Sequence, residues 1–122
     1  MTEYITTIEV LTIHKILVDK YGGSHGLRDA GALEAALYRP QTGYYEDIIQ
    51  EAAALWESLS QNHPFIDGNK RVAFAVTHTF LAINGYKLKV DVTESIKYII
   101  SLYENHNFEY KEIEKWLRIN TI

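Results

Sequence analysis

The chain contains no cysteine, only two prolines in 122 residues, and no excess of basic charge. The missing cysteine excludes disulfides, thiolate zinc sites and cysteine nucleophiles, and it fits a reducing compartment. A formal net charge of −4 disfavours general nucleic-acid binding. The first residues lack the basic and apolar regions of a signal peptide, and no apolar run reaches membrane-spanning length. We therefore expect a cytoplasmic protein whose partners are neither nucleic acids nor membranes.

Apolar residues make up 47% of the chain, which is typical of a globular protein. A chain of this length buries a hydrophobic core without disulfides or metals. We find no internal repeat, low-complexity tract or linker, which predicts a single domain over residues 1–122.

Apolar residues recur at helical spacing along most of the chain. This pattern predicts helices near residues 6–20, 29–39, 47–61, 69–83, 91–104 and 109–119. On the first helix the expected apolar positions are Ile8, Leu11, Ile16, Leu17 and Val18. The fourth helix is apolar on nearly every side, which predicts a buried helix at the centre of the bundle. The expected fold class is therefore all-α, a compact bundle of six or seven helices around one central helix.

Two connecting segments carry more specific signals. Asp91 with Glu94 three residues later resembles a capping box at the start of the fifth helix. Residues 39–47 contain proline, glycine and two tyrosines without a clear period, which predicts a loop or a short hairpin flap.

The most informative stretch is HPFIDGNKR at residues 63–71, between the third and fourth helices. Pro64 disfavours helical geometry at His63, so the third helix should end there. Gly68 can adopt backbone angles closed to other residues, and Asn69 is a preferred N-cap for the fourth helix. The start of such a helix offers free N–H groups and a partial positive charge, which suit a bound anion.

Lys70 and Arg71 follow in the first turn of that helix, where cations oppose the helix dipole. A bound phosphate would reverse this penalty, although both residues could also be ordinary solvated charges. Histidine is the side chain best suited to proton transfer near neutral pH, so His63 is the candidate general base, against the alternative of a surface histidine. Asp67 is either a turn residue or a Mg²⁺ ligand. Phe65 is expected to anchor the loop in the core.

Other polar and aromatic residues carry weaker signals. His78 lies within the apolar fourth helix and is expected to be a core or interface histidine. Tyr44 and Tyr45 either pack down or form a docking surface. No role is assigned to the remaining histidines, which are His14, His25 and His106.

The string HPFIDGNKR resembles the signature loop of the Fic/Doc family, His-x-Phe-x-Asp/Glu-Gly/Ala-Asn-Gly/Lys-Arg, at all seven of its constrained positions. More narrowly, the chain resembles the death-on-curing (Doc) branch, in which the GLRD segment at residues 26–29 and the pair Arg39-Pro40 also fit. The resemblance covers essentially the whole chain, and it implies a small helical bundle.

The resemblance also implies roles for individual residues. His63 matches the residue that takes the proton from a hydroxyl of a target protein. Asp67 matches the Mg²⁺ ligand, and Gly68 and Asn69 match the turn that cradles phosphate. Arg71 matches the cation that pairs with a nucleotide phosphate.

Two residues depart from the pattern of adenylylating Fic proteins. That pattern has glycine where this chain has Lys70, and a second arginine where this chain has Phe74. Doc-type proteins share both changes, and within this family they are described as kinases that hold ATP in a reversed orientation. The resemblance thus implies transfer of the γ-phosphoryl group of ATP to a translation factor, elongation factor Tu. Such a transfer depends on positioning and on charge neutralisation.

Many Fic proteins carry an inhibitory helix with Ser/Thr-x-x-x-Glu followed by Gly or Asn. Thr42 to Glu46 has the spacing but is followed by Asp47, and Ser101 to Glu104 is one residue too short. We predict no internal inhibitor, so restraint would come from a partner antitoxin in trans.

Two alternatives to a Doc-like kinase toxin remain open. One is a protein adenylyltransferase that uses the same loop to transfer AMP. The other is a catalytically silent binding module in which the loop only orders the bundle.

Overall fold

The computed structural model describes residues 1–89 and 92–122 and is all-α. Its helices are α1 (Thr7–Tyr21), α2 (Ala30–Tyr38), α3 (Ile48–Gln61), α4 (Asn69–Ile83), α5 (Val92–Glu104) and α6 (Tyr110–Asn120). The predicted fold class and helix order are confirmed. The predicted cap at Asp91 lies outside the described residues. No helix in the described ranges combines the length and the apolarity needed to cross a bilayer.

The central helix of the bundle is α3, which packs against α2, α4 and α6. All of its residues from Ala52 to Trp56 are buried. Ala52, Ala53 and Ala54 present small side chains, so neighbouring helices can approach closely from several sides. The side chain of Asp47 caps the start of α3 by accepting the backbone N–H of Gln50 at 2.9 Å.

The prediction that α4 is the central helix was wrong. One side of α4 is buried against α1 and α3 and includes Val72, Val76 and Phe80. The opposite side leaves His78 exposed. The sequence pattern was misleading because Ala75 and Ala82, which lie toward this less buried side, count as apolar residues without needing to be covered.

The predicted inner face of α1 was wrong at three of its five positions, whereas Val18 is buried and Leu17 packs partly buried against the core. The buried residues of α1 are Val10, His14 and Val18, which follow one another at intervals of four. The polar-looking His14 belongs to this buried face, which a purely apolar pattern does not show. The predicted core positions that are instead exposed are Ile8, Leu11 and Ile16.

Residues 39–47 form a loop, and the hairpin alternative was wrong. A 3₁₀ turn at Arg39–Gln41 opens the segment, and the N–H of Thr42 donates to the carbonyl of Arg39. Within the described ranges, β pairing is limited to the isolated bridges Leu27–Phe65 and Leu88–Thr121. Neither bridge involves residues 39–47, so the segment is a turn with its own hydrogen bond and not a hairpin.

Candidate active site

The α3–α4 loop, residues 62–68, is anchored by Phe65, whose side chain is buried. The backbone N–H of Phe65 donates to Oδ1 of Asn69, and the Phe65 carbonyl accepts from Nδ2 of Asn69, both at 2.9 Å. Asn69 is the first residue of α4 rather than its N-cap, so that prediction was wrong. Gly68 occupies the capping position with φ of 76°, a left-handed conformation that favours glycine.

The segment before α2 covers the same loop from its outer side. The carbonyl of Pro64 accepts the backbone N–H groups of Arg28 and Asp29 at 2.8 and 3.0 Å. The N–H of Ile66 donates to the carbonyl of Gly26 at 3.1 Å. The loop is therefore held between two parts of the chain that are far apart in sequence.

The Arg28 side chain fixes the backbone at the candidate base. Its guanidinium donates from Nε to the His63 carbonyl at 2.7 Å and from Nη2 to the Asn62 carbonyl at 3.0 Å. His63 has φ of 46°, a conformation that costs a non-glycine residue on the order of 1 kcal/mol. The two bonds from Arg28 help to hold this strained conformation, in which the His63 side chain is exposed.

The carboxylate of Asp67 is oriented by two backbone N–H groups. Oδ2 accepts from Ser24 at 3.0 Å and Oδ1 accepts from Gly68 at 2.8 Å. These two bonds hold the pKa of the Asp67 carboxyl below its usual value, so the group is ionised at neutral pH. Gly23 lies against the same carboxylate, since a Cβ built on it would be 2.8 Å from Oδ2.

His14 supports the loop from α1, a role that the sequence did not indicate. Its ring stacks on Phe65 with a centroid distance of 3.8 Å and an interplanar angle of 9°. Its Nε2 lies 2.7 Å from the carbonyl oxygen of Asp67, and because a carbonyl only accepts, Nε2 carries the proton. The signal that could have revealed His14 is its place midway between the buried Val10 and Val18.

The two cations at the start of α4 are exposed, and each lies over a tyrosine ring from another helix. Lys70 Nζ is 4.5 Å from the ring centroid of Tyr103, and the Arg71 guanidinium carbon is 4.9 Å from that of Tyr21. The first helical bond of α4 runs from Val72 N–H to the Gly68 carbonyl. The N–H groups ahead of Val72 thus have no intrahelical acceptor and can bind an anion.

A cavity of about 270 Å³ brings the candidate base and one cation together. His63 and Lys70 both line it, as do Tyr103 and Phe108. His106, to which the sequence assigned no role, also lines this cavity. The arrangement brings His63 and the Lys70 ammonium, in the first turn of α4, to one opening, whereas the other predicted site residues do not line it; these are Asp67, Gly68, Asn69 and Arg71.

The remaining histidine and tyrosine candidates lie elsewhere. His78 is exposed on α4 beside Phe74, so its predicted place in the core was wrong, and the interface alternative stays a prediction. Tyr45 packs against Tyr110 and accepts a hydrogen bond from Arg39, whereas Tyr44 is 82% exposed. These residues do not join the α3–α4 loop.

The donor set suits a magnesium ion that arrives together with phosphate. Across the described ranges no three histidine, aspartate or glutamate side chains are grouped to hold a metal by themselves. Mg²⁺ takes one or two carboxylates and completes its shell with water and substrate phosphate oxygens. Asp67 supplies one ionised carboxylate, and each of its oxygens retains acceptor capacity beyond its backbone hydrogen bond.

The fold and the site define a small all-α protein whose charged loop opens onto a helix N-terminus. Residues 4–81 match the Fic/DOC family. The chain is 47% identical over 96 residues to the protein named Toxin Doc of Mycolicibacterium smegmatis (strain ATCC 700084 / mc(2)155), over 75% of this chain and 72% of that protein. It is 32% identical over 89 residues to Protein kinase doc of Escherichia phage P1, over 70% and 71% of the two chains. The chain therefore belongs to the Fic/DOC family.

Proposed function

We propose that this protein is the toxin of a toxin–antitoxin pair and transfers the γ-phosphoryl group of ATP to a hydroxyl of a target protein. The observation that carries the proposal is the shared cavity of His63 and Lys70 beside the free N-terminus of α4. The printed names of the two relatives, one a toxin and the other a protein kinase, support the same activity.

In the proposed step His63 acts as general base on the target hydroxyl. As the proton moves to the imidazole, the hydroxyl oxygen bonds to the γ-phosphorus. The bond from the γ-phosphorus to the bridging oxygen breaks, and ADP leaves with that oxygen. Arg28 contributes indirectly, because it holds the backbone of His63 in place.

Charge on the transferring phosphate would be met by Lys70, Arg71 and the N–H groups at the start of α4. Gly68 and Asn69 form the turn from which α4 and these groups begin. Asp67 would hold Mg²⁺, which when bound neutralises phosphate charge. The hydrogen bonds that keep Asp67 ionised and oriented support this role.

Two residues favour phosphoryl transfer over adenylyl transfer. Lys70 adds a side chain and a charge where the adenylylating pattern has glycine. Phe74, which stands where that pattern has a second arginine, packs half-buried against Trp56 with ring centroids 5.4 Å apart. That position therefore offers no cation to a terminal phosphate.

The proposed target is a translation elongation factor, elongation factor Tu, and the proposed compartment is the cytoplasm, where translation takes place. The proposed restraint is a separate antitoxin protein. Residues 42–46 are non-helical and mostly exposed, and Ser101 and Glu104 belong to α5. The first segment is therefore no helix, and the second is one residue too short for the inhibitory motif, so we propose no internal inhibitor.

The experiment is intact-mass and phosphopeptide analysis of elongation factor Tu after incubation with this protein, ATP and Mg²⁺. We expect the target to gain one phosphate. The gain should vanish with His63→Ala and persist with His78→Ala, which removes an exposed histidine outside the cavity.

Three results would contradict the proposal. A gain of AMP would identify an adenylyltransferase and show that Lys70 and Phe74 do not set the reaction. Unchanged phosphorylation by His63→Ala would remove His63 as the base. No modification of elongation factor Tu, together with no binding of Mg²⁺-ATP, would favour the silent binding module.

A further inference from the structure

The two cations at the start of α4 rest on tyrosine platforms that differ in rigidity. The ring of Tyr21, under Arg71, belongs to a residue that is 56% exposed, and it is shared with Lys20 at 5.2 Å. Such a platform leaves Arg71 free to move with its tyrosine.

Tyr103, under Lys70, is fixed by a stacked ring and by a hydrogen bond of its hydroxyl. Its ring stacks on the buried Phe108 with a centroid distance of 4.2 Å and an interplanar angle of 9°. Its hydroxyl lies 2.7 Å from Oγ of the buried Ser60. The Phe108 backbone is held in turn, because its carbonyl accepts from Nε2 of Gln61 at 3.0 Å. These contacts tie the ring to both α3 and the segment before α6.

Both faces of the Tyr103 ring are covered, which limits what the ring can bind. One face is covered by Phe108 and the other faces the Lys70 ammonium, so neither is open for stacking a nucleobase. An ammonium over a tyrosine ring is attracted by the ring quadrupole. The four-carbon side chain of lysine otherwise samples many rotamers, and confining it before binding lowers the entropy lost when phosphate arrives.

We propose that Tyr103 is a positioning residue that holds the Lys70 ammonium at the cavity shared with His63, ready for the phosphate of ATP. This inference rests on the proposed phosphotransferase function. Tyr103 acts through Lys70, and the hydroxyl of Tyr103 serves only to fix the ring through Ser60.

The test is a double-mutant cycle on Mg²⁺-ATP binding, measured by calorimetry with the full chain. Tyr103→Leu should raise Kd by about two- to fivefold, the size expected for an exposed cation–π contact. Tyr103→Phe keeps the ring and should restore binding to within about twofold of wild type. In a Lys70→Met background, Tyr103→Leu should cause almost no further loss, because the cation it positions is gone.

A spectroscopic readout separates positioning from general structural support. The ring current of Tyr103 should shift the NMR signals of the Lys70 methylenes next to the ammonium upfield, with or without ATP. The shift should survive in Tyr103→Phe and disappear in Tyr103→Leu. A thermal melt of each variant shows whether the bundle remains folded.

The outcomes distinguish this inference from the function on which it rests. Failure of the wild-type protein to bind Mg²⁺-ATP would overturn the phosphotransferase proposal and the positioning role with it. Normal ATP binding with additive effects of Tyr103→Leu and Lys70→Met would overturn the positioning role alone. Absence of the ring-current shift in the wild-type protein would also overturn the positioning role, whether or not the protein binds ATP.

Discussion

Two loops of this protein have similar residue compositions but very different surroundings. The α2–α3 loop, residues 42–47, and the α3–α4 loop, residues 62–68, each contain a glycine with positive φ, aromatic side chains and an aspartate just before a helix. The α2–α3 loop is hydrogen-bonded mainly to its immediate neighbours, although Asp47 also pairs with Arg118 of α6 at 3.0 Å, and its Tyr44 is 82% exposed. The α3–α4 loop is held by α1, α4 and the segment before α2.

The difference shows that composition does not make a loop a candidate active site. What distinguishes the α3–α4 loop is that distant residues bond to its backbone as well as to its side chains. His14, Ser24 and Arg28 each bond to it across more than 30 positions of sequence. Matched substitutions in the two loops test whether this support is what the activity needs.

The largest expected effect comes from the two aspartates. Asp67→Asn should lower the rate of target phosphorylation about 100-fold, because the carboxylate proposed to hold Mg²⁺ loses its charge. Asp47→Asn should change that rate by less than about twofold, since asparagine is an equally good N-cap for α3. The measurement is the initial rate of phosphorylation with each variant. Equal losses of phosphorylation rate in both variants would show that the two loops do not differ in their importance for activity.

The next prediction compares two arginines, one of which should affect activity and the other stability. Arg28→Met should lower the phosphorylation rate about 30-fold, because His63 loses the contacts that hold its strained backbone. Arg39→Met should leave the rate per folded molecule unchanged but lower the free energy of unfolding by about 2 kcal/mol. Its loss removes bonds to Glu57, Ser58 and Tyr45 at 2.7, 2.9 and 2.8 Å.

Urea unfolding and phosphorylation rates measured on the same preparations check this exchange. An Arg28→Met variant that is destabilised without losing activity would show that the strained His63 backbone is not needed for the reaction.

A smaller effect is expected from two neighbouring glycines. Gly22 and Gly23 both have positive φ, so alanine at either should destabilise the fold by about 1 kcal/mol. Only at Gly23 does the added methyl meet Asp67, at 2.8 Å from Oδ2, whereas at Gly22 it meets open space. Gly23→Ala should therefore lower activity about fivefold beyond Gly22→Ala. Identical kinetics would mean that the orientation of Asp67 is not critical.

The smallest effect is a change in the titration of Asp67. Its carboxyl should titrate below the ordinary aspartate value of 3.8, because Ser24 and Gly68 donate backbone N–H groups to the ionised form. Since this folded pKa is depressed, the stabilisation it gives is present above the unfolded pKa and is lost as pH falls through the folded pKa.

Carbon-detected NMR titration of the Asp67 carboxyl measures this directly. Gly23→Ala should raise the midpoint, because the methyl pushes Oδ2 away from the Ser24 N–H. A midpoint above 3.8 in the wild-type protein would contradict the hydrogen-bonding account.

Much of the fold followed from local signals. Asp47 before Ile48, Gly22 after α1 and Gly68 before Asn69 mark helix boundaries through capping and backbone angles, which act over a few residues. What local signals missed was orientation. The pattern could not tell that α3 is central, or that His14 faces inward, because burial depends on which helices pack on which side.

The sequence by itself determined the six helices, the family and the residues of the α3–α4 loop, because propensities, caps and a specific motif are local properties. Only the tertiary structure decided how that loop is supported. It brought His14, Arg28 and the tyrosines of α1 and α5 to the motif, and it gathered His63 and Lys70 around one cavity. The physical reason is that these contacts join residues far apart in sequence, and helix packing alone sets which of them meet.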